Sequence, residues 1–478
     1  MNNNFWLALS ILFILNSIIS TVVIILERRR PEKTISWLLL FVLLPPLGYI
    51  LYIFLGRNWK RTKLNKSFSN HAKIFISDAV DRLENPEYVP LMELLAINSD
   101  SPLFTDNEIT IFNNGNEKFK YLKEELMKAI HHIHLEYYIV KSDEIGNEIK
   151  DIIIRKSLEG VKVRFIMDRV GSIKVKRKFI TELKNAGVDV VQYSYILAPL
   201  LRIINTQINY RNHRKIVVID GNVGFLGGIN IGDEYLGKGK MGYWRDTHIM
   251  VKGDFVLGLQ AVFLDDYWTI KKSIDKTFFL DENFNRYRPC TKKCEHRIMQ
   301  LVKSGPNSQF ASIMQSILKM ITMAKHHIYI ASPYFIPSES IMEALKIASF
   351  TGVDIKILFP EKSDHILVHS ASKTYLQELM RYGAKVYFYN KKAFMHSKFT
   401  TIDGMISNIG TANMDIRSYE LNYEVNAVIY DKDTTQKLES YFLKDLQSST
   451  LMTQEYFENT PKLVRFFEAS ARLFSSLL

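Results

Sequence analysis

The chain has 478 residues, 47% of them hydrophobic, with a formal charge of +12 and a pI of about 9.2. That length accommodates a membrane segment and two ordinary domains, and the hydrophobic content permits large cores. The basic balance favours a polyanion as partner (nucleic acid, anionic lipid or a phosphate substrate) without choosing among them. Cys290 and Cys294 are spaced C-x3-C near His296, but no second ligand pair exists, so they read as free thiols in a loop rather than a zinc site. So few cysteines fit a reducing compartment.

Residues 1–60 read as a membrane anchor. Residues 5–26 carry no charge, and a run of about 22 residues crosses a bilayer core of about 30 Å. The run lacks the basic start and cleavage site of a signal peptide. A second apolar run, 34–56, is broken by Pro45-Pro46 and flanked on both sides by basic segments, ERRRPEKT and GRNWKRTKLNKS. Both basic segments prefer the cytoplasmic face. Either the second run is a re-entrant hairpin with the prolines near its tip, or it spans the membrane and breaks the rule. The remaining chain is then expected on the cytoplasmic side of a cell membrane. Residues 61–105 read as a connector with short helices around Pro86 and Pro90, lying over the first domain.

From Asn107 strands and helices alternate, which predicts an α/β fold. Residues 107–112, 132–140, 161–168 and 188–193 read as strands. Residues 117–130 and 149–158 read as helices, and a third helix ends at Gly187. The order then repeats. KHHIYIASPYFIP echoes IHHIHLEYYIV, TGVDIKILFP echoes EGVKVRFIMD, and LMRYGAKVYFYN echoes LKNAGVDVVQYS. The chain is a tandem duplication, with domains expected over 106–290 and 291–478. His131-His132 and His326-His327 end helices in matching places and fit a helix C-terminus better than a metal. One insert, YILAPLLRIINTQINY (195–210), occurs only in the first half. It is either a loop over the core or a membrane-facing lip. Residues 461–478 read as an amphipathic helix, packed on the body or touching a membrane surface.

The repeat carries chemistry. In YRNHRKIVVIDGNVGFLGGIN, His213, Lys215, Asp220, Gly227 and Asn230 are spaced H-x-K-x4-D-x6-G-x2-N. In MHSKFTTIDGMISNIGTAN, His396, Lys398, Asp403, Gly410 and Asn413 have the same spacing, offset by 183 residues throughout. Asp-Gly signals a hairpin turn. With Gly221-Asn222 as the loop, Asn230 faces His213 and Asn413 faces His396, beside the small Gly228 and Thr411. Two histidines suit a displacement in which one attacks and the other protonates the leaving group. Two lysines and two asparagines suit an anion with several oxygens, which points to a phosphodiester handled without a metal. Asp220 and Asp403 sit at the turn, a strand away from the histidines, where fixing the turn or bridging the halves is expected of them. The carboxylates that orient the histidines are expected at Asp246 in YWRDTHIMVKG and Glu424 in LNYEVNAVIY.

These residues resemble the phospholipase D superfamily, whose mark is a pair of H-x-K-x4-D motifs, and most closely its bacterial cardiolipin synthases. The likeness covers nearly the whole chain, through NYRNHRKIVVIDG, GGINIGDEY, YWRDTH, SPYFIP, MHSKF and GTANMDIRSYELNYE. Thr411 stands where the superfamily often has Ser. The resemblance implies two α/β/α sandwich domains related by a pseudo-twofold axis, behind N-terminal membrane helices. It implies a catalytic set of His213, Lys215, Asp220, His396, Lys398 and Asp403, supported by Asn230, Asn413, Gly228, Thr411, Asp246 and Glu424. It implies transfer between two phosphatidylglycerols in an anionic membrane, giving cardiolipin and glycerol, with His213 as nucleophile, His396 as acid and base, and no cofactor, metal or nucleic acid. No G-x4-G-K-[ST] loop occurs, so no nucleotide is expected. The rival readings are a phospholipase D-type hydrolase, a membrane-anchored nuclease and a non-enzymatic lipid scaffold.

Overall fold

In the computed structural model, placement is described for residues 86–193, 210–271 and 295–475, for residues 31–44, and for scattered positions between 11 and 52. The chain divides into two compact units, residues 1–63 with 195–210, and residues 64–194 with 211–478. In the first unit the helix Pro31–Leu43 presents Trp37 and Phe41 edge-on to Tyr52, with ring centroids 5.4 and 5.5 Å apart. Among the described residues no helix is long and apolar enough to cross a membrane. The span expected over 5–26 lies mostly outside the described residues. So do the insert at 195–209 and the two cysteines.

The second unit holds two sheets of one design. The first contains β1 (Asn107–Phe112), β2 (His132–Tyr137), β3 (Lys162–Asp168), β4 (Asp189–Tyr193), β5 (Ile216–Ile219), β6 (Val223–Gly227) and β7 (His248–Gly253), in the order β1-β7-β6-β5-β2-β3-β4. The second contains β8 (Ile298–Ser304), β9 (His327–Ala331), β10 (Asp354–Pro360), β11 (Lys385–Tyr389), β12 (Phe399–Ile402), β13 (Ile406–Gly410) and β14 (Asn422–Tyr430). Its order, β8-β14-β13-β12-β9-β10-β11, is the first sheet's order repeated. Ser449–Leu451 adds a strand beside β11. The duplication read from sequence is thus a duplication of topology.

Strands β5, β6, β12 and β13 are buried at every position because both faces are covered. Ile216 and Val218 of β5 point into a core shared with Phe399, Ile409 and Val425 of the second sheet. Val217 and Ile219, one residue out of phase, point into the first half's own core with Phe119, Leu122 and Leu126 of the helix Gly115–Lys128. The two sheets therefore share this core, into which the helices Phe255–Lys271 and Lys432–Gln447 also pack, through Leu259 and Phe442 among others.

The connector differs from expectation. The helix Val89–Asn98 buries Leu91, Met92 and Leu95 against Ile298, Ile313 and Ile317 of the second half, not over the first domain. Polar contacts fix it there. Asn98 Nδ2 donates to Gln315 Oε1 at 2.7 Å, and Gln300 Nε2 donates to the Met92 carbonyl at 3.1 Å.

Candidate active site

The turns of both motifs are built alike. Asp220 and Gly221 both have positive φ, 52° and 67°, and Asn222 N–H donates to the Ile219 carbonyl at 3.0 Å. This is a type I′ turn centred on Asp-Gly, followed by one extra residue. Ile219 consequently pairs with Val223, and Ile402 with Ile406. The loop is one residue longer than expected, and a slip of one residue reverses the side chains' faces. The inferred pairing of Asn230 with His213 and of Asn413 with His396 therefore fails.

What places each histidine is a strand from the other half. Arg211–Asn212 pairs in parallel with Asn422–Tyr423, and His213 N–H then donates to the Tyr423 carbonyl at 3.0 Å. Ala393–Met395 pairs in parallel with Tyr243–Arg245, and His396 N–H donates to the Arg245 carbonyl at 2.7 Å. The next residue along each guiding strand is the carboxylate. Glu424 lies 2.9 Å from His213 Nδ1, and Asp246 lies 2.7 Å from His396 Nδ1. The two carboxylates suggested by sequence thus meet the histidines, but crossed between halves. Nδ1–H donating to a carboxylate leaves each Nε2 with its lone pair.

Both lysines fold back on their histidines. Lys215 Nζ donates to the His213 carbonyl at 2.6 Å, and Lys398 Nζ to the His396 carbonyl at 2.5 Å. Lys398 Nζ also lies 2.9 Å from His396 Nδ1, but that nitrogen has one bond to give, and the carboxylate takes it.

Burial dominates the electrostatics. It pushes His213 down to about 4 against the opposing pull of Glu424, so the imidazole is neutral at pH 7. Burial likewise lowers Lys215 to about 7, with Lys398 adding repulsion. His396 and Lys398 shift down for the same reason. Burial would raise Asp246 and Glu424, but the neighbouring bases outweigh it: Lys398 and His396 hold Asp246 low, and His213 and Lys215 hold Glu424 low. Two carboxylates thus stay charged beside four bases whose cationic forms burial disfavours. An anion bound beside them favours the cationic forms, and a proton gained at His396 Nε2 is the one that ring can deliver.

The supporting residues divide. A Cβ at Gly228 would lie 2.1 Å from Asp246 Oδ1, so only glycine leaves room for that carboxylate. Thr411 occupies the equivalent place: Gly228 N–H bonds the Thr247 carbonyl, Thr411 N–H the Val425 carbonyl. Its hydroxyl accepts from Val425 N–H at 2.9 Å and helps hold Glu424 ionised. Asn230 is consumed structurally, accepting from Ile139 N–H at 3.1 Å and donating to Tyr235 Oη at 2.5 Å. Asn413 Oδ1 is buried with no hydrogen-bond partner among the described residues, the kind of atom a ligand hydroxyl satisfies.

Asp220 and Asp403 leave the site. Asp220 accepts the N–H groups of Ile130, His131 and His132 at 2.8–2.9 Å, and Asp403 those of Lys325, His326 and His327 at 2.8–2.9 Å. Each ties its turn to the start of the neighbouring strand within its own half, not across the halves. The backbones of the paired histidines at the starts of β2 and β9 are held by these carboxylates. Their rings bond elsewhere, His132 Nε2 to Gln260 at 2.8 Å and His327 Nε2 to Glu439 at 3.0 Å.

Sequence reading missed the residues around the histidines. Tyr138 lies 4.9 Å from the His213 ring, while Trp244 and Phe394 lie 5.2 and 5.7 Å from His396. Arg211 bonds Tyr138, and Arg417 lies near enough to be repelled by Arg211. Phe394 stands at the position equivalent to Arg211, each two residues before its histidine. The surroundings of the two histidines are therefore unlike, arginines lying near one and buried aromatic rings against the other. Comparing the repeat copies at their unmatched positions would have shown this.

The comparisons agree with this construction. Residues 122–240 and 317–446 match the family model described as "Cardiolipin synthase, PLD-like domain", and residues 5–57 match "Phospholipase_D-nuclease N-terminal". The chain is 41% identical to a cardiolipin synthase of Geobacillus sp. (strain WCH70), over 100% of this chain and 96% of that one. It is also 41% identical to a cardiolipin synthase of Listeria innocua serovar 6a, over 98% of both. The chain belongs to the phospholipase D-like cardiolipin synthase family. Among solved structures, a phosphatidylserine synthase of Haemophilus influenzae Rd KW20 superimposes with a TM-score of 0.62 at 14% identity, covering 81% of this chain and 100% of that one. The cardiolipin synthase family thus shares this fold with a protein of distant sequence.

Proposed function

We infer that this chain is a cardiolipin synthase, moving a phosphatidyl group between two phosphatidylglycerols. The observation that carries the reading is the crossed pair: two histidines, each with Nδ1 held by a carboxylate of the opposite half, in a chain of this family. His213 Nε2 attacks phosphorus and the bond to glycerol breaks. His396 delivers the proton to the leaving oxygen, leaving a phosphatidyl-histidine. His396 then takes the proton from a hydroxyl of the second phosphatidylglycerol. That oxygen attacks phosphorus, the P–N bond breaks, and cardiolipin leaves. One phosphodiester replaces another, so no external energy source is required. Lys215 and Lys398 hold the phosphate oxygens, and Asn413 Oδ1 accepts from a substrate hydroxyl. Asp246 and Glu424 fix the tautomers and stabilise the cationic ring as it forms. Residues 106–290 and 291–478 act as halves of one catalytic unit. Residues 1–60 act as its anchor in an anionic cell membrane, with the catalytic unit on the cytoplasmic side.

Purified protein with headgroup- and acyl-labelled phosphatidylglycerol tests this. Cardiolipin and free glycerol in equal amounts are expected. Phosphatidic acid as the main product would instead identify a hydrolase of the same chemistry.

A further inference from the structure

The helix Lys462–Leu473 is mounted with its apolar side outward. Glu468 and Ala471, on one side of the helix, are its buried residues, and Ser475 just past its end is buried as well. They face the helix Ile366–Met380, where Ala471 meets Ala371 and Glu468 lies 3.4 Å from Lys373. Arg472 reaches Glu378 at 2.6 Å and covers the Tyr375 ring at 4.1 Å. The attachment is therefore made by small and charged residues. The apolar stripe is left in water: Leu463 is 83% exposed, Phe466 74%, Phe467 46%, Leu473 82% and Phe474 50%. An amphipathic helix on a soluble body turns the other way, apolar side in. Ile366 and Leu367, at the start of the supporting helix, are exposed too.

Two observations name the occupant. The stripe is edged by exposed Lys462 and Arg465, which repel a second copy of a +12 chain and attract an anionic surface. The supporting helix also begins two residues after Asp364, which bonds Tyr334 Oη at 2.6 Å and acts electrostatically on His396 and Lys398. The exposed apolar residues at 366 and 367 thus follow directly on a segment whose carboxylate acts on the catalytic site. We propose that the C-terminal helix lies in the interfacial layer of an anionic bilayer, its phenylalanines among the acyl chains, and holds the catalytic site close to the lipid. This goes beyond the anchor of residues 1–60: it fixes orientation rather than attachment.

The test uses the full chain in bilayer nanodiscs of phosphatidylglycerol, with Cys290→Ser, Cys294→Ser and Phe466→Cys carrying an environment-sensitive fluorophore. A blue-shifted emission quenched by brominated acyl chains is expected, while the same label at Glu455→Cys stays aqueous. A shifted emission that brominated lipid does not quench would mean a protein surface covers the helix, and overturns the proposal. An aqueous emission overturns it as well. Leu463→Glu with Phe466→Glu should lower turnover of bilayer phosphatidylglycerol at least tenfold. Turnover of a monodisperse short-chain phosphatidylglycerol should be unchanged, which reports an intact site. Equal loss on both substrates contradicts the proposal while leaving the assigned chemistry standing.

Discussion

Replacing Glu424 by Gln isolates the charge behind His213. Glu424 is fully buried, 2.9 Å from His213 Nδ1, and receives Asn422 Nδ2 at 3.2 Å. Gln keeps the size and hydrogen-bonding reach of Glu but loses the charge. Once the phosphatidyl group is on Nε2 the ring is cationic, and this charge is what it loses. An ion pair at contact distance is worth about 4 kcal/mol at an effective dielectric of about 20. A hydrogen bond to a charged group exceeds a neutral one by about 1–2 kcal/mol. The loss therefore lies at about 2–4 kcal/mol, or about 30- to 1000-fold in kcat. KM should move little, because the lysines that hold the phosphate remain. Labelled phosphatidylglycerol in mixed micelles gives both constants, and a thermal melt confirms the fold. A variant turning over within threefold of the parent would refute the role assigned to the crossed carboxylate.

The two histidines should separate by leaving group. With a p-nitrophenyl headgroup, which departs without a proton, His396→Ala and Asp246→Asn should regain most of the first step, whereas His213→Ala and Glu424→Gln should not; burst kinetics read this. Gly228→Ala drives a methyl into Asp246 and should cut kcat about tenfold or more, by about 1.4 kcal/mol or more, with a smaller effect on the melting temperature. Sulfate binding should take up protons, because an anion raises the Lys215 ammonium from about 7. Its affinity should strengthen from pH 9 to pH 7, and calorimetry in buffers of different ionisation enthalpy should show the uptake shrink in Lys215→Met.

The duplication, the α/β order and the His, Lys, Asp246 and Glu424 set were legible because period-two apolar runs and repeated spacing are local signals. The crossing was not. Which half's carboxylate reaches which histidine depends on Arg211–Asn212 and Ala393–Met395 joining strands of the opposite half, and two or three paired residues leave no pattern. The turn was misread by one residue because Asp-Gly and Gly-Asn are both good turn pairs, and only φ at Asp220 decides. That one residue cost Asn230 its expected place. The connector's docking was hidden for a similar reason: apolar Leu91, Met92 and Leu95 say that the helix is buried, not against which half.

The central claim is a covalent intermediate formed on His213 in a site shared by both halves. It is tested most directly by acid-free quenching of the enzyme turning over phosphatidylglycerol labelled in its phosphate, followed by peptide mapping. We predict label on the peptide bearing His213, stable in alkali and lost in acid, accumulating further in His396→Ala with the p-nitrophenyl substrate. Label on the His396 peptide, or none at all under conditions where cardiolipin forms, would contradict the account.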